Sequence, residues 1–145
     1  MSTFAEIETE IDACTGAVTD SARLLALAEQ VLELWIVARG ETPTSDTREG
    51  FRLLALHRQG ARDLPSFNAC RETCREIAYH YNLIEVSRDA KANLRDARMM
   101  ALVTKHLLLF VSGKMQSDRL GEFCCASRPL RTPEAELTLQ SMQEK

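Results

Sequence analysis

Residues that interrupt helices are scarce in this chain: six glycines and four prolines stand among 145 residues. They fall between segments whose apolar residues recur every three or four positions, and the uninterrupted segments are written as helix. An excess of charge of one sign is also missing. The net charge of -3 gives no whole-chain attraction for nucleic acid or for an anionic membrane, although local basic stripes remain open.

Long apolar runs are absent too. The longest, "MMALVTKHLLLFV" at 99–111, is interrupted by Lys105 and His106 and is too short to span a bilayer. The start, "MSTFAEIETEIDAC", carries acidic residues where an export signal needs a basic start and an apolar run, so a cytoplasmic location is expected. Five cysteines at irregular spacing do not describe a secreted disulfide framework, and in the cytoplasm they stay mostly reduced. No G-x-S-x-G, phosphate loop, paired-glycine fingerprint, H-E-x-x-H or E-x-x-H occurs. Nucleotide binding, serine hydrolysis and a zinc or di-iron bundle site therefore lack support, and the expectation is a protein that is not an enzyme and holds no cofactor.

What is present reads as a single-domain all-α bundle of five or six helices, with 45% apolar and 27% charged residues as a soluble globular chain has. Thr3 with Glu6 forms a capping box for a first helix marked by Phe4, Ile7, Ile11 and Cys14 and ending near Gly16. A second runs from Thr19 or Asp20 to Arg39 with Gly40 as its left-handed stop, its stripe built from Leu24, Leu25, Ala28, Val31, Leu32 and Trp35. Asp46 and Glu49 resemble the cap and third-position pair of a shorter helix ending at Gly60, and Ser66 the cap of the next. From there to Ser112 no glycine or proline occurs. A break at "EVSRD", with Ser87 or Asp89 as cap, divides the stretch, and Gly113 is expected to close the second part. That part puts Arg88, Lys91, Arg95 and Arg98 toward solvent and Leu94, Ala97, Ala101, Leu108 and Val111 inward. Residues 1–131 form the bundle in this reading. Residues 132–145 form a short C-terminal helix or tail, with Thr132 as cap and Pro133 in the first turn. The core is expected to draw also on Phe51, Leu54, Phe67, Ile77 and Tyr81.

One stretch, "FNACRETCREIAYHYNLI" at 67–84, concentrates two cysteines, a histidine and both tyrosines. Phe67, Cys70, Cys74, Ile77, Tyr81 and Ile84 are spaced as a heptad seam, which reads first as a buried stripe. The functional alternative makes Cys70 and Cys74 candidate metal ligands. At about 100° per residue they lie about 40° apart, close enough to clasp one soft ion, while His80 sits roughly 80° to 120° away. Completing such a site needs donors from elsewhere, with Cys124 and Cys125 the available pair, and these spacings match no familiar ligand set. His57 and His106 read as hydrogen-bonded helix histidines. The stretch from Phe51 to Tyr81, with Arg52, Arg58, Arg62, Arg71 and Arg75, invites a helix-turn-helix reading, but the connection is too long and the second helix too apolar, so nucleic-acid binding is not favoured.

Three functions follow in order: a helical accessory or regulatory protein that binds another protein, a thiol-based metal or redox sensor using Cys70 and Cys74, and a small DNA-binding regulator. Self-association as a homodimer is expected, because "LELWIVA" and "MMALVTKHLLLFV" are apolar on more than one side.

Overall fold

Thr3 opens the first helix as its spacing predicts: its hydroxyl accepts from the Glu6 amide and the Glu6 carboxylate accepts from the Thr3 amide, satisfying two otherwise unpaired donors. The computed structural model describes residues 2–14 and 20–118. Within them it is all-α, with five α-helices and no strand: α1 (Phe4–Ala13), α2 (Ser21–Ala38), α3 (Arg52–Gly60), α4 (Arg71–Val86) and α5 (Ala90–Ser117). The expected C-terminal helix with Thr132 and Pro133, and the thiols Cys124 and Cys125, lie outside the described residues. No helix among the described residues is long and apolar enough to cross a membrane.

The longest helix, α5, is the post against which α1, α2 and α4 pack. Its inward stripe is Asn93, Ala97, Met100, Thr104, Leu107, Val111 and Met115, with Val103 and Leu108 beside it. This corrects the expected phase at its start: Leu94 is 37% exposed. The side-chain amide of Asn93 donates to the Ser87 carbonyl and so turns residue 93 inward, leaving Leu94 about 100° away from the core. The helix also runs through Gly113 to Ser117, because burying Met115 on the same stripe outweighs the roughly 1 kcal/mol that a mid-helix glycine costs. Asp89 caps α5 through the Lys91 and Ala92 amides, as the break at "EVSRD" requires.

Three other expectations are corrected. Asp46 and Glu49 do not cap α3. Glu49 and Gly50 take positive φ of 54° and 85°, and Arg48 and Phe51 exchange both backbone hydrogen bonds at 2.9 Å, so a tight reverse turn occupies the place of a first helical turn. It delivers Phe51 into the core, edge-on to Tyr81 at 5.8 Å. Ser66 is not a cap either. Pro65, which has no N–H to satisfy, begins a turn of 3-10 helix (Pro65–Cys70) with Leu64 in the capping position. On α2 the inward residue is Leu27, while Leu25, like Tyr81 on α4, is only partly buried.

One contact joins three of these pieces. The Trp35 ring of α2 stacks on Phe67 of the 3-10 turn at 4.7 Å, and its indole N–H donates to the carbonyl of Gly60, the last residue of α3, at 3.0 Å. A Cβ at Gly60 would lie 2.9 Å from Trp35 Cδ1 and 3.4 Å from Phe67 Cε2, both held by that stack. Gly60→Ala is therefore expected to destabilise by about 1–3 kcal/mol through overpacking. Gly113→Ala, whose Cβ meets nothing within 4 Å, should stabilise by about 0.5–1 kcal/mol. Urea unfolding at one fixed protein concentration checks both, and equal effects of the two would refute the difference in packing.

Candidate functional site

The two cysteines singled out in the sequence sit where the 3-10 turn becomes α4. Cys70 ends the turn and Cys74 lies one turn further on, on the inward face of α4; they are 1% and 0% exposed. The structure adds a partner that helical geometry alone does not supply. His57, buried on α3, places its Nε2 3.1 Å from the Phe67 carbonyl, and Cys70 Sγ donates to the same carbonyl at 3.2 Å. A carbonyl only accepts, so His57 Nε2 carries the proton.

This arrangement separates the two thiols. The hydrogen bond from Cys74 pulls the Cys70 thiol pKa down, burial opposes it, and His57 adds to the lowering. Cys74 moves well up, through its hydrogen bond to Cys70 and its own burial. Yet both sulfurs are enclosed, whereas reactive thiols stand partly open to solvent. His57 spends its Nε2–H on the backbone, and among the described residues no group of three or more His, Cys, Asp or Glu side chains could hold a metal ion. His80 is elsewhere: its Nδ1 meets Asp96 of α5 at 3.0 Å, away from the thiols. His106 is exposed on α5.

Beside His57 the surface opens into a groove of about 1250 Å³ between the 42–48 loop, α3 and the start of α4. Arg48, Arg58, Arg62, Arg71 and Arg75 line it, with Asp46 and the hydroxyls of the loop. The loop wall is strapped down. Gln59 accepts from the Thr44 amide and donates to the Thr42 carbonyl, each at 2.8 Å, and Arg52 donates to the Thr44 carbonyl at 2.9 Å. Arg52 itself turns to Glu33 and Glu29 of α2 and leaves the groove. Arg75 is held by Glu49 in a two-pronged pair at 3.1 and 3.2 Å, and Arg62 lies 3.9 Å from Glu41. Arg48, Arg58 and Arg71 have no carboxylate within ion-pair distance among the described residues. The groove was half legible in sequence: Arg58 and Arg62, like Arg71 and Arg75, are one helical turn apart. Nothing local announced that the loop would bring Arg48 to them.

A second exposed feature lies on α5. Met99, Leu102 and Leu109 of α5 are 42%, 62% and 50% exposed. Together with Arg95, His106 and Gly113, all exposed, they form an outward stripe with alternating spacings of four and three residues. No family model, curated protein or solved structure matches the chain.

The enclosed thiols behave as core in this geometry. Cys70→Ala and Cys74→Ala are expected to cost about 1 kcal/mol each as small cavities, and Cys74→Asp several kcal/mol as a buried charge. Metal content by elemental analysis should be the same in wild type and alanine variants. Zinc or iron near one per chain, lost on Cys70→Ala, would instead assign the pair to a metal.

Proposed function

We propose that this protein is a non-enzymatic helical accessory or regulatory protein that acts by binding proteins, with the outer face of α5 as its contact surface and a second copy of the chain as the first occupant. The observation that carries this reading is the outward stripe of Met99, Leu102 and Leu109, a second seam on a helix whose opposite face is already buried. Seven-residue apolar spacing on an exposed face is the pattern that pairs helices.

Charge favours one orientation. Lys91, Arg95 and Arg98 crowd the N-terminal half of α5, where cations oppose the helix dipole. An antiparallel two-fold pair sets Arg95 of one copy against Gly113 of the other, near the negative end of the partner helix, and matches Met99 with Leu109 and Leu102 with His106. A parallel pair would stack Arg95 on Arg95. The two-fold arrangement is self-complementary, the commonest form of association between identical chains. A cytoplasmic place goes with the reading, since Cys14, Cys70 and Cys74 are free thiols.

Sedimentation at about 20–50 micromolar, where a micromolar dimer is populated, is expected to give dimer for the full chain. Leu102→Lys with Leu109→Lys should give monomer with unchanged helicity by circular dichroism. A wild-type chain that sediments only as monomer contradicts the second copy as occupant.

A further inference from the structure

We infer that the arginine-lined groove between the 42–48 loop, α3 and the start of α4 is a binding site for a phosphate-bearing peptide segment. The groove shares no residue with the outer face of α5.

The charge of the groove sets the charge of its ligand. Among the described residues five arginines line it, and Asp46, Glu41 and Glu49 are the carboxylates on or against it, which leaves an excess of two positive charges. A phosphomonoester carries about -1.5 to -2 at pH 7 and brings three acceptor oxygens. One carboxylate would leave the excess half matched. The donors are also of the right kind: among the described residues every cationic side chain lining the groove is arginine, whose planar fork fits phosphate oxygens in pairs, and none is lysine. Glu49 already shows that fork in use, held by both terminal nitrogens of Arg75.

The shape argues for a chain rather than a lone ion. A volume of about 1250 Å³ is far more than one phosphate fills. The three arginines without carboxylate partners among the described residues stand on three different elements, Arg48 on the loop, Arg58 on α3 and Arg71 on α4. The loop wall keeps its place through Gln59 and Arg52 rather than through the groove arginines, so the cations are not spent on holding the scaffold. Base stacking has no platform here. Among the described residues no Phe, Tyr or Trp lines the groove, and the ring of His57 is stacked against Phe67. Single-stranded nucleic acid, which binds largely through such stacking, is therefore the poorer fit.

The test uses the full chain and titration calorimetry with four probes: an Ala/Gly peptide of about nine residues carrying one phosphoserine, the same peptide with serine, inorganic phosphate, and a short single-stranded oligonucleotide. The phosphopeptide is expected to bind at least about tenfold more tightly than each of the other three. Arg58→Glu and Arg71→Glu, checked for helicity, should each weaken it by about tenfold or more, and rising salt should weaken it further. Arg88→Glu, an exposed change at the α4–α5 turn outside the groove, should leave it unchanged. Equal binding of the serine peptide, or equal weakening by Arg88→Glu, would overturn the proposal. So would inorganic phosphate or the oligonucleotide binding as tightly as the phosphopeptide.

Discussion

The contact of Trp35 with Gly60 and Phe67 is the constraint on which the rest of the fold depends. An indole ring lies flat on Phe67 and donates its one hydrogen bond to a backbone carbonyl, at a position where only the absence of a side chain lets it approach. Phe67 passes the packing on, stacked on His57 at 5.6 Å and meeting Phe110 of α5 edge-on at 5.8 Å. Arg39 closes the exposed side, its guanidinium 5.6 Å from the Trp35 ring and bonded to the same Gly60 carbonyl. Four elements are thus fixed around two rings. An aromatic pair of this kind adds about 0.5–1.5 kcal/mol beyond the area it buries.

The candidate surfaces follow from this arrangement. With Phe67 held against Trp35, its carbonyl faces both His57 and Cys70, which keeps the thiols inside and orients the end of α3. Arg58 near the end of α3 and Arg62 just after it then line the same groove as Arg71 and Arg75 of α4. The groove is the space left between them. α5 has a different task, since one face completes the core and the other remains apolar and exposed.

Much of the scaffold could be read from residue patterns, because it depends on local chemistry and periodicity. The Thr3–Glu6 box, the Asp89 cap, the Gly40 turn at φ 82° and the 67–84 seam are all signals carried within one or two helical turns. The misses have two causes. Asn93 faces inward because of a carbonyl six residues away, α5 passes Gly113 because Met115 has a core to enter, and Asp46 loses its expected role to a reverse turn at Glu49 and Gly50. At Gly113 a tertiary demand outweighs a local preference, whereas Asn93 and the 48–51 turn follow short-range hydrogen bonds that helical periodicity does not register. The candidate site shows the same limit: the turn-to-turn arginine pairs were visible, but the approach of His57 to Cys70 and of Arg48 to Arg58 depends on how α3 folds back beside the 3-10 turn.

Trp35 is the only tryptophan, so its indole N–H gives one unambiguous resonance. Hydrogen exchange at that proton tests most directly whether the Trp35–Gly60–Phe67 contact holds the fold together. If it does, the indole exchanges only on global unfolding, at the free energy shown by the slowest backbone amides of α2 and α5. Exchange as fast as that of amides in the exposed 45–49 loop would mean that the ring leaves Gly60 without unfolding the bundle, and that this contact does not hold the fold together.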